Sequence, residues 1–161
     1  EARQAIDWSV VLGIGAGLGI GEAMRVTNAA KIVASSLFDA ADAGYAMAGD
    51  TITTHPQVLL ALVAGMTLIL TNVITAKAAA VLMFPIATAT ADAVTASAMP
   101  FVVAVALSAA SSLASPIGYQ TNLMVYGPGG YRSGDYLRFG GLLSVIIWIM
   151  IVLLVPWAWP L

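Results

Sequence analysis

The sequence predicts an all-α, polytopic membrane protein in which two helices are interrupted. Three observations lead to this prediction: 60% of the 161 residues are hydrophobic, only 9% are charged, and two short polar segments interrupt the apolar sequence. A soluble domain normally carries about 25% charged residues. The composition therefore favours a chain that lies mostly in the lipid bilayer.

The same composition argues against several other classes of protein. A net charge of −2 without a basic run gives no reason to expect a nucleic-acid partner. The absence of cysteine removes disulfides and thiolate metal sites, and a single histidine leaves little room for a zinc site. No nucleophile–base pair or pair of acids is grouped along the chain, so we expect neither an enzyme nor an organic cofactor.

The first third of the chain is predicted to hold one span and one connecting helix. The span runs from Trp8 to Met24, and its glycines at spacings of four predict close helix packing rather than a dinucleotide loop, because no βαβ pattern accompanies them. From Arg25 to Asp50 the chain becomes small and polar. This change predicts an interfacial or partly buried helix.

Residues 55–92 are predicted to form a re-entrant helical hairpin. His55 and Pro56 open a helix whose apolar residues, 56–70, are too few to cross a bilayer comfortably. The polar tip 71–77 follows, and then a second arm runs towards Asp92. An interface position is preferred for His55 over a proton relay, and a helix end for Asp92 over a coupling carboxylate.

Residues 100–130 are predicted to form a broken helix, and residues 139–159 the final span. Pro100 opens a short apolar run, the polar segment 115–122 interrupts it, and a glycine-rich turn at 127–130 ends the second half. A wet loop with Arg132, Asp135 and Arg138 is expected before the final span, which ends in a tryptophan belt.

The two polar segments predict a binding site. Lipid cannot hydrogen-bond open backbone, so irregular chain at membrane depth lies inside protein or against a wet cavity, and paired broken helices point to the binding site of a transporter. Helix N-termini near Lys77 and Asn122 suit an oxyanion, and Thr75 and Thr121 add neutral donors. Carbonyl groups at the preceding helix ends suit a hard cation such as sodium.

These segments resemble the divalent anion/sodium symporter family. The resemblance lies in the opening Ile6–Gly13, in the tip and following arm, Thr71–Ile86, and in the second polar segment with its turn, Ser115–Tyr131. The last stretch is the most specific and looks like the bacterial branch described as sulfate or general anion permeases. The resemblance covers residues 1–161, which look like one membrane domain, the C-terminal repeat of such a transporter.

The resemblance implies one half of an inverted-repeat, multi-pass transporter in the cell inner membrane. Such a protein pairs this repeat with an N-terminal half, forms a homodimer, and carries a small divalent anion, sulfate or a dicarboxylate, by cation-coupled, elevator-type transport. The implied substrate-binding residues are Thr75, Ala76, Lys77, Ser115, Pro116, Thr121 and Asn122. The implied sodium ligands are Thr71, Asn72, Thr75 and Gly118.

Lys77 departs from the family pattern and leaves two interpretations open. The family's tip usually carries Ser-Asn-Thr, which falls here on Thr75, Ala76 and Lys77. The Lys77 ammonium either stands in for a sodium ion beside the anion or extends to water at the membrane interface.

Two other functions stay open. One is an arsenite-type metalloid exporter on a similar scaffold, and the other is a membrane subunit that binds an anion without transporting it. Because one repeat lacks the symmetry-related hairpin, we do not expect this chain alone to transport.

Overall fold

The described part of the chain is entirely helical. The structure is a computed structural model that describes residues 55–116 and 119–160, together with scattered positions between 15 and 39. Its helices from residue 55 onward are α1 (Pro56–Val73), α2 (Ala76–Ala93), α3 (Ala98–Ala110), α4 (Gln120–Tyr126) and α5 (Ser133–Ala158). The all-α prediction is confirmed for these ranges. The predicted first span and most of the connecting helix lie outside the described residues.

Two of these helices, α1 and α5, are long and apolar enough to cross a membrane. The predicted final span, 139–159, falls almost wholly within α5, which begins earlier, at Ser133. Asp135 and Arg138 therefore lie in the first turns of a helix, and the expectation of a wet loop at these positions is wrong. The Asp135 carboxylate accepts the Arg132 N–H at 2.8 Å, which satisfies a donor just before the helix begins.

The first predicted arm is also longer than expected. Helix α1 continues through Thr71 and Asn72 to Val73, because these polar side chains hydrogen-bond to protein instead of ending the helix. By length and composition α1 can cross a membrane. The re-entrant path of the hairpin stays a prediction.

Between α1 and α2 the chain leaves the helix for only two residues, Ile74 and Thr75, which we call the first break. The predicted tip of residues 71–77 thus has open backbone only at its centre. At the two ends of the hairpin, His55 is the exposed residue before α1 and Asp92 is exposed in the last turn of α2. Asp92 therefore lies at a helix end, as expected, and the interface position of His55 stays a prediction.

The core lies where α1, α2 and α3 pack together. Its fully or nearly buried side chains include Leu59, Leu60, Met83 and Phe101. Helix α5 joins this core along a single stripe of residues spaced by three or four: Ser144, Trp148, Ile151 and Val155. Most of its other side chains are exposed, as expected of a helix that faces lipid.

Candidate functional site

The two predicted polar segments lie against each other. The Thr71 hydroxyl donates to the Ala109 carbonyl at 2.8 Å, and the Ser112 hydroxyl donates to the Thr71 carbonyl at 2.9 Å. The Ala114 N–H donates to the side-chain oxygen of Asn72 at 2.9 Å. We call these three hydrogen bonds the clasp. They join the end of α1 to the end of α3 and to the chain that follows.

The clasp satisfies backbone groups that the helices leave open. The last four carbonyl groups of a helix have no partner within it. Thr71 and Ala109 lie in the final turns of α1 and α3, and both receive a hydroxyl donor from the opposite segment. Thr71 and Ser112 are buried, so these bonds are shielded from competition by water.

Both the nitrogen and the oxygen of the Asn72 side-chain amide are hydrogen-bonded. Its Nδ2 donates to the Leu68 carbonyl at 2.7 Å within α1, while its Oδ1 accepts from Ala114. Both functional groups of the side chain therefore contribute to the clasp and to α1. The assignment of Thr71 and Asn72 as sodium ligands stays a prediction, and Gly118, another predicted ligand, lies outside the described residues.

The chain between α3 and α4, residues 111–119, is the second break, of which 117 and 118 lie outside the described residues. Asn122, in the first turn of α4, reaches back over it: the Nδ2 donates to the carbonyls of Ser112 at 3.2 Å and Ser115 at 3.3 Å. The backbone carbonyl of Asn122 accepts the Tyr136 hydroxyl at 3.0 Å. Asn122, a predicted anion contact, thus stabilises open backbone of the second break.

The predicted residues at the start of α2 have a different environment. Thr75 is exposed, and its hydroxyl accepts the Ala78 N–H at 3.4 Å, which caps the helix. Ala76 is half-buried, and Lys77 is exposed in the first turn. The Lys77 side chain forms no hydrogen bond or ion pair with the described residues. Among the described residues, neither Thr75 nor Lys77 forms a hydrogen bond with the second break.

The remaining predicted residues lie in or beside the second break. Pro116 is buried, Ser115 is half-buried, and Thr121 is exposed in the first turn of α4. The structure therefore brings one group of predicted residues together around the second break and the clasp. Thr75 caps α2, and Lys77 lies exposed in the first turn of that helix.

Helix α5 contacts the second break from outside. A Cβ atom on Gly140 would overlap the carbonyl oxygen of Leu113 and lie 3.0 Å from the Ala114 Cα, so only glycine fits this approach. An open cleft of about 300 Å³ lies beside the contact and is lined by Leu113, Asn122, Val125, Tyr131, Asp135, Tyr136, Phe139 and Gly140.

Sequence reasoning did not assign Tyr136 or Gly140 to the site. A signal was present: Tyr136, Gly140 and Ser144 recur at spacings of four, so small or polar side chains share one face of α5. Trp148, with its indole N–H, continues this face one turn later. In lipid, such a face marks the side that packs on protein.

The electrostatics of the start of α2 suit an anion. The first backbone N–H groups of a helix have no partner within it and carry about half a positive charge. Thr75 satisfies only the N–H of Ala78 with its side chain, and the Lys77 ammonium adds a full charge on the same turn. An oxyanion at this end of α2 would find donors and positive charge together.

Comparison with known proteins identified several transporters. The chain is 39% identical over 96% of its length to the uncharacterized transporter sll0640 of Synechocystis sp.. It is 34% identical over 94% of its length to the probable sodium/sulfate cotransporter 3 of Chlamydomonas reinhardtii. It is 26% identical over 99% of its length to the uncharacterized transporter YfbS of Escherichia coli.

The chain spans only part of these relatives, 24%, 16% and 25% of their respective lengths. No family model matches the chain. No solved structure matches it either. These three relatives are named as transporters and not as enzymes, in agreement with the expectation from the sequence.

Proposed function

We propose, from the confirmed resemblance of this chain to the divalent anion/sodium symporter family, that it forms part of a secondary transporter for a small divalent anion. Three relatives named sodium/sulfate cotransporters align with 94% of the chain. The observation that supports the proposal is the clasp, which joins the ends of α1 and α3 beside the two breaks in the helical chain. Interrupted helices of this kind form the substrate sites of secondary transporters.

Sulfate is the first candidate for the substrate, with sodium as the coupling ion. Both assignments follow the names of the relatives. A dicarboxylate presents the same two negative charges to helix N-termini and is the second candidate. A metalloid exporter is not favoured, because the relatives that specify a substrate name sulfate.

In the proposed mechanism, the C-terminal ends of α1 and α3 and the N-terminal end of α2 have different roles. The clasp satisfies the carbonyl ends of α1 and α3, while the N-terminal turn of α2, with Thr75 and Lys77, stays open to an anion. The hairpin and the broken helix then move as one unit, and an N-terminal half supplies the symmetry-related hairpin. The complete transporter is a homodimer in the cell inner membrane.

The test is uptake by the longer natural polypeptide in proteoliposomes. Labelled sulfate and succinate are offered with and without an inward sodium gradient. We expect saturable sulfate uptake that the sodium gradient increases. Absence of flux for both anions under sodium and proton gradients contradicts the proposal, and anion-dependent stabilisation without flux would instead indicate a binding subunit.

Lys77 provides a second test, of coupling. We propose that its ammonium takes the place of one sodium ion at this half of the site, because a fixed cation on the first turn of α2 supplies the same charge. Lys77→Asn is therefore expected to steepen the dependence of sulfate uptake on sodium concentration. Uptake rates measured over a series of sodium concentrations give the slope.

Arg138→Gln is the matched control for that test. It also removes one exposed positive charge, but from α5 and outside the predicted anion contacts. Its sodium dependence should equal that of the wild type. An unchanged slope for Lys77→Asn would favour the interpretation that the ammonium extends to water at the interface.

A further inference from the structure

We infer that Tyr136 is a positioning residue for the anion site, an inference that rests on the proposed function. Its hydroxyl donates to the backbone carbonyl of Asn122 at 3.0 Å. Asn122 is a predicted anion contact and also the side chain that bonds the carbonyls of Ser112 and Ser115 across the second break. Tyr136 therefore fixes the residue that bridges this break.

Tyr136 belongs to a helix, α5, that is anchored to the core. Two turns beyond Gly140, the Trp148 Nε1 donates to the Ala61 carbonyl of α1 at 2.8 Å. Further along the same stripe, Ile151 and Val155 are buried in the core. Because one continuous helix connects these residues, the core sets the position of Tyr136 relative to the second break.

The same face of α5 contacts both edges of the second break. Tyr136 holds the downstream edge at Asn122, and Gly140 approaches the upstream edge at Leu113 so closely that a Cβ would overlap its carbonyl. These two residues lie four positions apart, which is about 6 Å along a helix axis. About one turn of α5 therefore fixes the position of Asn122 relative to Leu113, on the two sides of the second break.

Neighbouring rings orient Tyr136 independently of its hydroxyl. The ring centroid lies 6.2 Å from that of Tyr126 and 6.0 Å from that of Tyr131, the latter in an edge-to-face arrangement. Replacement by phenylalanine keeps this ring packing and removes only the hydrogen bond to Asn122. The substitution thus isolates the positioning interaction.

The experiment measures transport by the longer protein in proteoliposomes, with Tyr136→Phe and Tyr131→Phe as matched variants. The Tyr131 side chain is 53% exposed, and its hydroxyl has no partner among the described residues. We expect Tyr136→Phe to raise the KM for sulfate about three- to tenfold, the range of one hydrogen bond, with little change in maximal rate. Tyr131→Phe should leave both parameters unchanged.

Anion selectivity separates positioning from a general loss of structure. If Tyr136 positions the second break, its loss should change the ratio of the KM values for sulfate and succinate, since these anions differ in size and shape. A lower unfolding temperature with an unchanged KM and an unchanged ratio would overturn the inference, as would equal effects of the two variants.

The wild-type control distinguishes failure of the positioning role from failure of the proposed function. If the wild type transports sulfate and Tyr136→Phe has the same KM values as the wild type, the positioning role is overturned and the proposed function stays in place. Absence of transport by the wild type overturns the proposed function, and the positioning role with it.

Discussion

The two breaks differ in how their open backbone is satisfied. The first break is two residues long, and its own hairpin supplies the hydrogen bonds: the Ile74 N–H donates to Leu70, and Thr75 caps α2. The second break is longer and receives its bonds from elsewhere. Asn72 on α1 and Asn122 on α4 bond to its backbone, and Gly140 of α5 packs against it.

This difference separates local from tertiary control of backbone conformation. A short break that caps itself depends on a few neighbouring residues in the sequence. A long break keeps one conformation only while several helices stay in register, because lipid supplies no alternative hydrogen bonds. Substitutions on distant helices should therefore damage the second break more than the first.

The largest expected effect follows from Gly140→Ala. The added Cβ meets the carbonyl of Leu113, which is backbone and has no rotamer to change. Overpacking of this kind costs about 1–3 kcal/mol, and here we expect the upper end. Thermal unfolding of the purified longer protein in detergent measures the change.

Gly141→Ala is the control for that substitution. A Cβ on this neighbouring glycine would have nothing within 4 Å of it, so the same change should gain about 0.5–1 kcal/mol of helix propensity. If the two variants unfolded at the same temperature, α5 would not support the second break.

A smaller loss is expected from Thr71→Val, which keeps the shape of the side chain and removes one clasp bond. The carbonyl of Ala109 lies in the last turn of α3 and would lose its donor. A buried acceptor left without a partner costs about 1–3 kcal/mol. The unfolding temperature in detergent should fall accordingly.

Thr67→Val tests whether the helix-to-helix bond is the cause. Thr67 is equally buried one turn earlier, but its hydroxyl donates to Val63 within α1, where the helix already supplies an N–H donor. We expect a change below about 0.5 kcal/mol. A loss as large as that of Thr71→Val would show that hydroxyl removal in α1 is costly irrespective of the clasp.

The sequence predicts those parts of the fold whose signals are local. Pro56 at the start of α1 and the apolar run of α5 are recognisable because each depends on neighbouring residues alone. The sequence places the end of α1 too early. Thr71 and Asn72 resemble helix-ending polar residues until their partners at Ala109 and Ala114, about forty positions away, are known.

The same limit applies to the candidate site. The polar residues around both breaks are identifiable because polar side chains in apolar sequence require an explanation. The contributions of Tyr136 and Gly140 are not, because a tyrosine near a membrane interface and a glycine in a span have ordinary explanations. Their role is visible only in the structure, where α5 lies close to Leu113 and Asn122.

The smallest effect on stability is expected from Thr75→Ala, at the first break. The hydroxyl is exposed and its bond to the Ala78 N–H is long, at 3.4 Å, so its loss should cost about 0.5 kcal/mol, the lower end for a helix cap. Ser97→Ala, at the start of α3, is the control, since this hydroxyl makes no capping bond.

Sulfate uptake by Thr75→Ala should nevertheless fall well below that of Ser97→Ala, because Thr75 lies at the open end of α2 where the anion is proposed to bind. Reduced uptake at a nearly unchanged unfolding temperature would show that Thr75 serves anion binding more than stability, whereas normal uptake would remove Thr75 from the site.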